Sequence, residues 1–424
     1  MTKSLGKHFT QVFSGSVGNL IEWYDWYVYS IFSLYFADTF FPKQDQTAQL
    51  FNTAGIFAIG FLMRPIGGWL MGAYADRKGR KAALTLSIIL MSGGSLIITC
   101  VPGYSTIGIA APLILVLARM LQGLSVGGEY GTAATYLSEI APKNRRGLYS
   151  SFQYVTTIVG QLIALGILLL LQRCLLTPAQ LATWGWRIPF GIGALLALSA
   201  VYLRRNMTES EAFSTEKIAT QKRGSLKELY KYRKESLIIV GFTVGLTITY
   251  YTLTTYVQKF LVNTSGFSKS DSTLIIAIAL FIFMLAQPLA GMLGDIMNRK
   301  RFMIIAVSLS VLSVPAMVLL GQTHSFFWAT TIITVALVIL SLNTSISAIV
   351  KAELFPVNIR SLGVAFPYAI TVAIFGGTAE SVALGFKKAG YPDGFYWYLA
   401  VCVGISLITV IFMPDMSKRS KLDE

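Results

Sequence analysis

The chain has 424 residues, 54% of them hydrophobic and only 13% charged, with 35 Lys and Arg against 20 Asp and Glu. A soluble domain of this composition would have no polar surface left for water, so the chain is read as a membrane protein. The net charge of +15 would suit a nucleic acid, but the basic residues gather in the connections between apolar runs, and attraction to anionic lipid headgroups explains them without one.

Apolar segments of about 20 residues, the length that crosses a hydrocarbon core, recur about a dozen times. In chain order they are 13–38, 52–74, 82–101, 110–138, 148–172 and 186–204, then 236–262, 271–294, 302–320, 326–350, 361–386 and 395–413. Six fall on each side of one polar stretch. The expected fold is therefore all-α, with twelve transmembrane helices in two six-helix bundles, 1–204 and 236–424, joined by a linker at 205–235. Most Lys and Arg residues lie in the N-terminus, the even-numbered turns, the linker and the C-terminal tail, which puts both termini in the cytoplasm by the positive-inside rule. Lys3 and Lys7 before an apolar run imitate a signal peptide, yet Glu22 and Asp25 interrupt the run and no small-residue cleavage site follows. A retained first span is expected.

That first span carries Asn19, Glu22, Asp25 and Tyr29 along one helical face. An ionisable residue at the centre of a span costs about 2.5 to 3.5 kcal/mol on insertion scales, so two carboxylates on one face require either a water-filled cavity or pairing with a neighbour. The second span holds Arg64 beside Pro65. Arginine's planar fork suits a carboxylate ligand, or it locks permanently onto Glu22 or Asp25. After it comes Gly72-Ala73-Tyr74-Ala75-Asp76-Arg77-Lys78-Gly79-Arg80-Lys81, a dense charged turn between apolar runs.

The fourth span places Arg119, Gln122 and Glu129 among glycines that permit close helix packing. Ten residues separate Arg119 from Glu129, about 15 Å along a helix, so each needs a partner on another helix or a ligand. The linker is rich in Lys, Arg, Glu, Ser and Thr, and its pattern from Leu226 to Tyr232 suits a short amphipathic helix at the membrane surface. In the seventh span Thr247, Tyr251, Thr254, Thr255 and Gln258 form a polar stripe that should line the interior, ending at Lys259, which either joins it or snorkels to the interface. Pro367, Gly376-Gly377 and Glu380 in the eleventh span predict a bent helix along a cavity.

The charged turn has an echo at Gly291-Met292-Leu293-Gly294-Asp295-Ile296-Met297-Asn298-Arg299-Lys300-Arg301, and Glu139, Pro142 and Arg146 recur as Glu353, Pro356 and Arg360. Two matches at nearly one offset imply a duplicated half of about 200 residues. Cys100, Cys174 and Cys402 share no metal-ligand or redox spacing. Only His8 and His324 are present, both peripheral, and most loops are too short to hold a catalytic site. No enzyme, metal or cofactor is expected.

Gly72-x-x-x-Asp76-Arg77-x-Gly79-Arg80-Lys81, with its weaker copy at Asp295, resembles the signature of the major facilitator superfamily. Glu22-Trp-Tyr-Asp25, Phe61-x-x-Arg64-Pro65-x-Gly67-Gly68 and Gly185-Trp186-Arg187-x-Pro189-Phe190 narrow the resemblance to its metabolite:proton symporter branch. The second copy departs from the pattern, lacking an Arg after Asp295 and carrying Asn298 where the first has Gly79. The chain also ends about ten residues after its last span, without the coiled-coil extension of osmosensory relatives.

The resemblance implies alternating access in the bacterial inner membrane by a monomer, importing α-ketoglutarate or a similar dicarboxylate together with protons as coupling ion. Citrate, shikimate, or a compatible solute such as proline or betaine is the alternative substrate; a membrane sensor that binds without transporting is the alternative class. On this reading Arg64, Arg119, Gln122, Tyr251, Gln258 and Lys259 bind substrate, with Arg119 and Lys259 clamping it from the two halves. Glu22, Asp25, Glu129 and Glu380 are the proton-coupling candidates, Asp25 pairing with Arg119 in the empty site by analogy with proton-coupled sugar porters. Asp76, Arg77, Arg80, Glu139, Arg146, Asp295, Arg299, Glu353 and Arg360 form a cytoplasmic gate.

Overall fold

The computed structural model describes residues 2–41, 46–204, 209, 224–415 and 420–422, so the expected linker falls outside the described residues at 205–208 and 210–223. Among the described residues twelve long helices cover the twelve predicted apolar runs. They are α1 Thr2–Phe40, α2 Gln46–Lys78, α3 Arg80–Cys100, α4 Ala110–Ile140, α5 Lys143–Leu175, α6 Arg187–Arg204, α7 Arg233–Asn263, α8 Lys269–Ile296, α9 Arg299–Gln322, α10 Phe326–Ala352, α11 Arg360–Lys388 and α12 Gly394–Phe412. Among the described residues nine are long and apolar enough to cross a membrane, and a pair bent by 49° at the start of α6 makes a tenth. Several outrun the apolar window, α1 and α2 most of all, because a helix keeps its backbone bonds satisfied through the headgroup layer as well as through hydrocarbon. A short helix, Leu226–Lys231, with Leu229 buried, lies in the last part of the expected linker, as the sequence suggests.

The surface is inverted relative to a soluble protein. Leu62, Leu113, Leu195, Leu237, Leu289 and Phe412 are exposed, while Asn19, Glu22, Asp25, Arg64, Arg119, Glu129 and Lys351 are buried. Lipid accepts the first group, and only an internal polar network accepts the second.

Close backbone approach fixes the helix positions. A Cβ on Gly67 or Gly127 would lie 2.2 Å from the Leu124 carbonyl or 2.1 Å from the Arg64 carbonyl, so α2 and α4 cross at glycine-only distance. Similar contacts join the two halves of the sequence: Gly131 of α4 meets Ala365 of α11, and Gly147 of α5 meets the Gly291 carbonyl of α8. This packing by small residues is how helices associate where hydrophobicity gives no gain.

One end of the assembly, here the latch end, collects the turns after α2, α4, α8 and α10. Asp76 accepts hydrogen bonds from the backbone N–H groups of Ser361 at 3.0 Å and Leu362 at 2.9 Å, capping α11. Asp295 does the same for α5, from Gly147 at 2.6 Å and Leu148 at 2.9 Å. Each repeat thus caps a helix of the other half, where the positive helix terminus favours an anion. The missing arginine after Asp295 does not disturb this, because the carboxylate itself makes the contact.

Candidate functional site

Between the two halves lies a narrow cavity lined by Trp23, Trp26, Tyr27, Phe61, Tyr251, Thr255, Gly376 and Glu380. A smaller one, toward the latch end, is lined by Asn19, Glu22, Arg64, Tyr130 and Tyr368. Both α7 and α11 widen into a π-turn beside the larger cavity, at Thr252–Tyr256 and Val372–Gly376. Such turns often mark functional positions in helices. Gly376 is required there, since a Cβ would sit 2.6 Å from the Tyr251 ring. This is the irregularity that Pro367 and the glycine pair foretell.

Two arginines define the electrostatics. Arg64, on α2, is buried and donates to the Tyr251 hydroxyl of α7 at 3.1 Å, while its Nε and Nη2 have no hydrogen-bond partner among the described residues. Its guanidinium rests 4.0 Å from the Phe61 ring and 4.2 Å from the Trp26 ring. Arg119, on α4, lies 4.2 Å from the same Trp26 ring and 4.2 Å from Tyr29. Sharing one indole keeps the two cations within twice that distance of each other. At about 8 Å and an effective dielectric of 20 their repulsion is about 2 kcal/mol, which a bound dianion relieves.

Asp25 and Arg119 do not pair directly as the sugar-porter analogy suggests. A chain of side chains joins them instead: Arg119 Nη1 donates to Gln122 Oε1 at 2.6 Å, Gln122 Nε2 to Ser95 Oγ at 2.9 Å, and Ser95 Oγ to Asp25 Oδ2 at 2.7 Å. Asp25 Oδ1 has no hydrogen-bond partner among the described residues and lies against Gly193 of α6. Glu22 accepts from Ser125, which also donates to the Ser87 carbonyl at 2.7 Å, and Ser87 in turn donates to Glu129. Two carboxylates are thereby linked through two serines inside one half.

Gln258 and Lys259 stand elsewhere than expected. Gln258 turns away to Thr273 of α8 at 2.9 Å, and Lys259 is 56% exposed and paired with Glu380 at 2.5 Å. Lys259 lies eight residues beyond Tyr251, about 12 Å along a helix. It pairs with Glu380 of the second half instead, and the cross-half partner of Arg64 is Tyr251. The snorkelling alternative fits the lysine better, because an exposed ammonium keeps its hydration.

Several of the residues expected at the gate lie together. Arg80 meets Asp76 at 3.3 Å and Glu139 at 3.0 Å, and Arg360 reaches Glu139 across the halves at 2.9 Å. The second copy gives Arg299 with Glu353 at 3.6 Å. Arg77 donates to the Gly224 carbonyl at 3.4 Å. Arg146, at the start of the helix that Asp295 caps, is buried.

Three features were not singled out from sequence. Lys351 is fully buried beside the stacked rings of Tyr130 and Tyr368 rather than at the interface. Glu209 accepts from the Arg80 and Lys81 amides and so caps α3. Lys421, in the C-terminal tail, accepts from Arg360 at 2.6 Å and donates its amide to the Glu353 carbonyl at 3.0 Å. Only the first had a signal, a lysine one residue inside the end of a polar helix face. The Gly185-Trp186-Arg187 motif also gains a reason: Arg187 donates to the Thr99 and Val101 carbonyls and so caps α3 at its far end.

The family model for the sugar (and other) transporters matches residues 12–237. The chain is 48% identical over 412 residues to the α-ketoglutarate permease of Escherichia coli, covering 97% of this chain and 95% of that one. It is 33% identical to a citrate-proton symporter of Klebsiella pneumoniae, with 91% and 88% covered. Its fold superposes on a proton:xylose symporter with a TM-score of 0.78 at 18% identity, covering 98% of both chains. Cavities between glycine-packed helices, buried cations close to them and a cluster of ion pairs at one end suit a solute pathway, and the matches place the chain in the sugar (and other) transporter family of the major facilitator superfamily.

Proposed function

We propose that this protein is a proton-coupled symporter that imports α-ketoglutarate or a similar dicarboxylate across the bacterial inner membrane by alternating access, with both termini cytoplasmic. The observation that carries the reading is Arg64, buried where the two halves meet, with two guanidinium nitrogens unsatisfied and Arg119 on the other side of a shared tryptophan. Two fixed cations against one tryptophan beside an aromatic cavity suit two carboxylates, since charge-assisted and bidentate bonds are the strong ones. The 48% identity to an α-ketoglutarate permease and the relation to a citrate-proton symporter support the same class of cargo.

In this reading residues 1–204 and 236–424 act as two bundles that rock about the cavity. Arg64 and Arg119 hold the carboxylates, Tyr251 reports the occupied site to the second bundle, and Gln122 keeps Arg119 oriented. Lys259 with Glu380 forms a charged pair at the outer mouth. The latch of Asp76, Arg80, Glu139, Asp295, Arg299, Glu353 and Arg360 holds the cytoplasmic side closed, so the conformation described has its access on the outer side.

Moving two negative charges inward costs about 2.3 kcal/mol per charge per 100 mV of interior-negative potential, which proton entry offsets. Asp25 is the proton carrier in this scheme. Its protonation removes the acceptor at the end of the Ser95–Gln122 chain and frees Arg119 to turn toward substrate, while Glu22 and Glu129 share a second buried site. The protein acts as a monomer.

Uptake of labelled α-ketoglutarate into proteoliposomes under an imposed inward proton gradient tests the reading, with citrate, shikimate, proline and betaine as competitors. Uphill accumulation that Asp25→Asn abolishes is the expected result. Accumulation unaffected by the gradient overturns the coupling, competition by proline or betaine alone overturns the substrate class, and binding without uptake makes the protein a sensor.

A further inference from the structure

Lys351 is a buried charged group that the scheme above leaves unused. It sits one residue short of the end of α10, at the latch side, and is fully buried. Among the described residues no carboxylate lies within ion-pair distance of it. Its ammonium donates to the Tyr130 hydroxyl of α4 and to Ser347, both at 2.8 Å, and lies 4.2 Å from the Tyr368 ring of α11. An ammonium without a counter-ion is costly inside a membrane protein, and such residues mark ion or substrate pathways. The hydroxyl oxygens of Tyr130 and Ser347 supply a weak substitute for the missing anion.

The surroundings indicate what that anion is. Tyr130 and Tyr368 stack face to face, with centroids 3.6 Å apart and planes 11° apart. The same two rings line the latch side of the smaller cavity, whose other wall is Arg64. The stack is therefore a floor of the cavity that Arg64 also lines, with Lys351 in contact with both rings but not among the residues lining that cavity. Tyr130 belongs to the first half and Tyr368 to the second, so rocking of the halves that opens the latch end must part them. Parting them opens the floor and exposes Lys351 to the cavity in one movement.

We propose that Lys351 is a release site: as the Tyr130–Tyr368 stack parts, its ammonium takes a carboxylate of the substrate from Arg64 and draws the dianion toward the cytoplasm. The inference rests on the dicarboxylate reading above and adds the step that follows latch opening. It also accounts for why a lysine rather than an arginine stands there. A compact ammonium that is readily rehydrated lets its ligand go, whereas a bidentate guanidinium holds it.

Dicarboxylate uptake into everted and right-side-out membrane vesicles, compared for the wild type, Lys351→Gln and Lys351→Arg at equal protein per vesicle, tests this. Losing one charge-assisted contact on the inner face should raise the inner-face KM of Lys351→Gln about 10-fold or more. The outer-face KM should stay within about threefold, because Lys351 is shut off from that side. Lys351→Arg should restore the inner-face KM while slowing turnover. A merely structural lysine would change both faces alike or only the amount of folded protein, and either result overturns the proposal. An unchanged inner-face KM overturns it too. Failure of the wild type to carry any dicarboxylate is a separate result, visible without the variants, that refutes the functional reading and this step with it.

Discussion

The latch makes the sharpest prediction, through Asp76→Asn. Asp76 is fully buried and holds two backbone N–H groups at 3.0 and 2.9 Å together with the Arg80 guanidinium at 3.3 Å. Asparagine keeps one acceptor oxygen but turns an NH₂ toward the second N–H, leaving a buried donor unsatisfied at a cost of about 1–3 kcal/mol. Loss of the negative charge at the start of α11 adds up to about 2 kcal/mol. The closed latch is then weaker by about 3 kcal/mol, a shift of roughly 100-fold in the equilibrium between closed and open. A few kcal/mol usually separate such states, so the open form should become the major one. Spin labels on cysteines at the exposed positions Asn144 and Ile296, in protein lacking Cys100, Cys174 and Cys402, report this as a longer distance across the latch end. Uptake turnover should fall more than substrate affinity. An unchanged distance distribution with normal turnover would refute the reasoning and reduce the charged turn to a topology signal. Asp295→Asn should shift the same distance less, because its carboxylate is only partly buried.

Other expectations follow from the cavity. Arg64→Lys forfeits the fork and its stacking on Trp26 and Phe61, a loss of about 2 kcal/mol or more, so affinity for a dicarboxylate measured by calorimetry should drop at least about 30-fold. Gln122→Leu cuts the chain from Arg119 to Asp25; proton-driven accumulation should collapse while exchange of substrate across the membrane continues, and coupled loss of both would show that the chain serves only packing. Gly127→Ala places a methyl 2.1 Å from the Arg64 carbonyl, forcing α2 from α4, and should lower thermal stability by about 1–3 kcal/mol along with substrate affinity. Lys259→Gln, at the exposed mouth, should leave affinity within about threefold at high salt, as exposed ion pairs contribute little.

The residues that sequence reading brought together at the latch are together in space, because they belong to turns on one side of the membrane, and topology alone decides which turns share a side. The same logic does not reach the cavity. Gln258 and Lys259 continue the helical stripe of Tyr251, yet the π-turn at Thr252–Tyr256 rotates the end of α7 and carries them to α8 and to the mouth. The sugar-porter analogy pairs Asp25 with Arg119 directly, whereas Gln122, expected at the substrate, and Ser95, an uncharged residue without signal, stand between them.

What the sequence determines by itself is the number and order of the spans, the repeat, and the end of the molecule at which the charged turns meet, since burial in lipid imposes a length and a polarity on each segment separately. Only the tertiary structure decides which buried charge faces which. That depends on rotation about each helix axis, set by glycine contacts such as Gly127 on Arg64 and by the wide turns in α7 and α11. Lys351 shows the difference most plainly. In the sequence it is a basic residue at the end of a helix, where a lysine ordinarily reaches for water, and in the fold two tyrosines from opposite halves close over it.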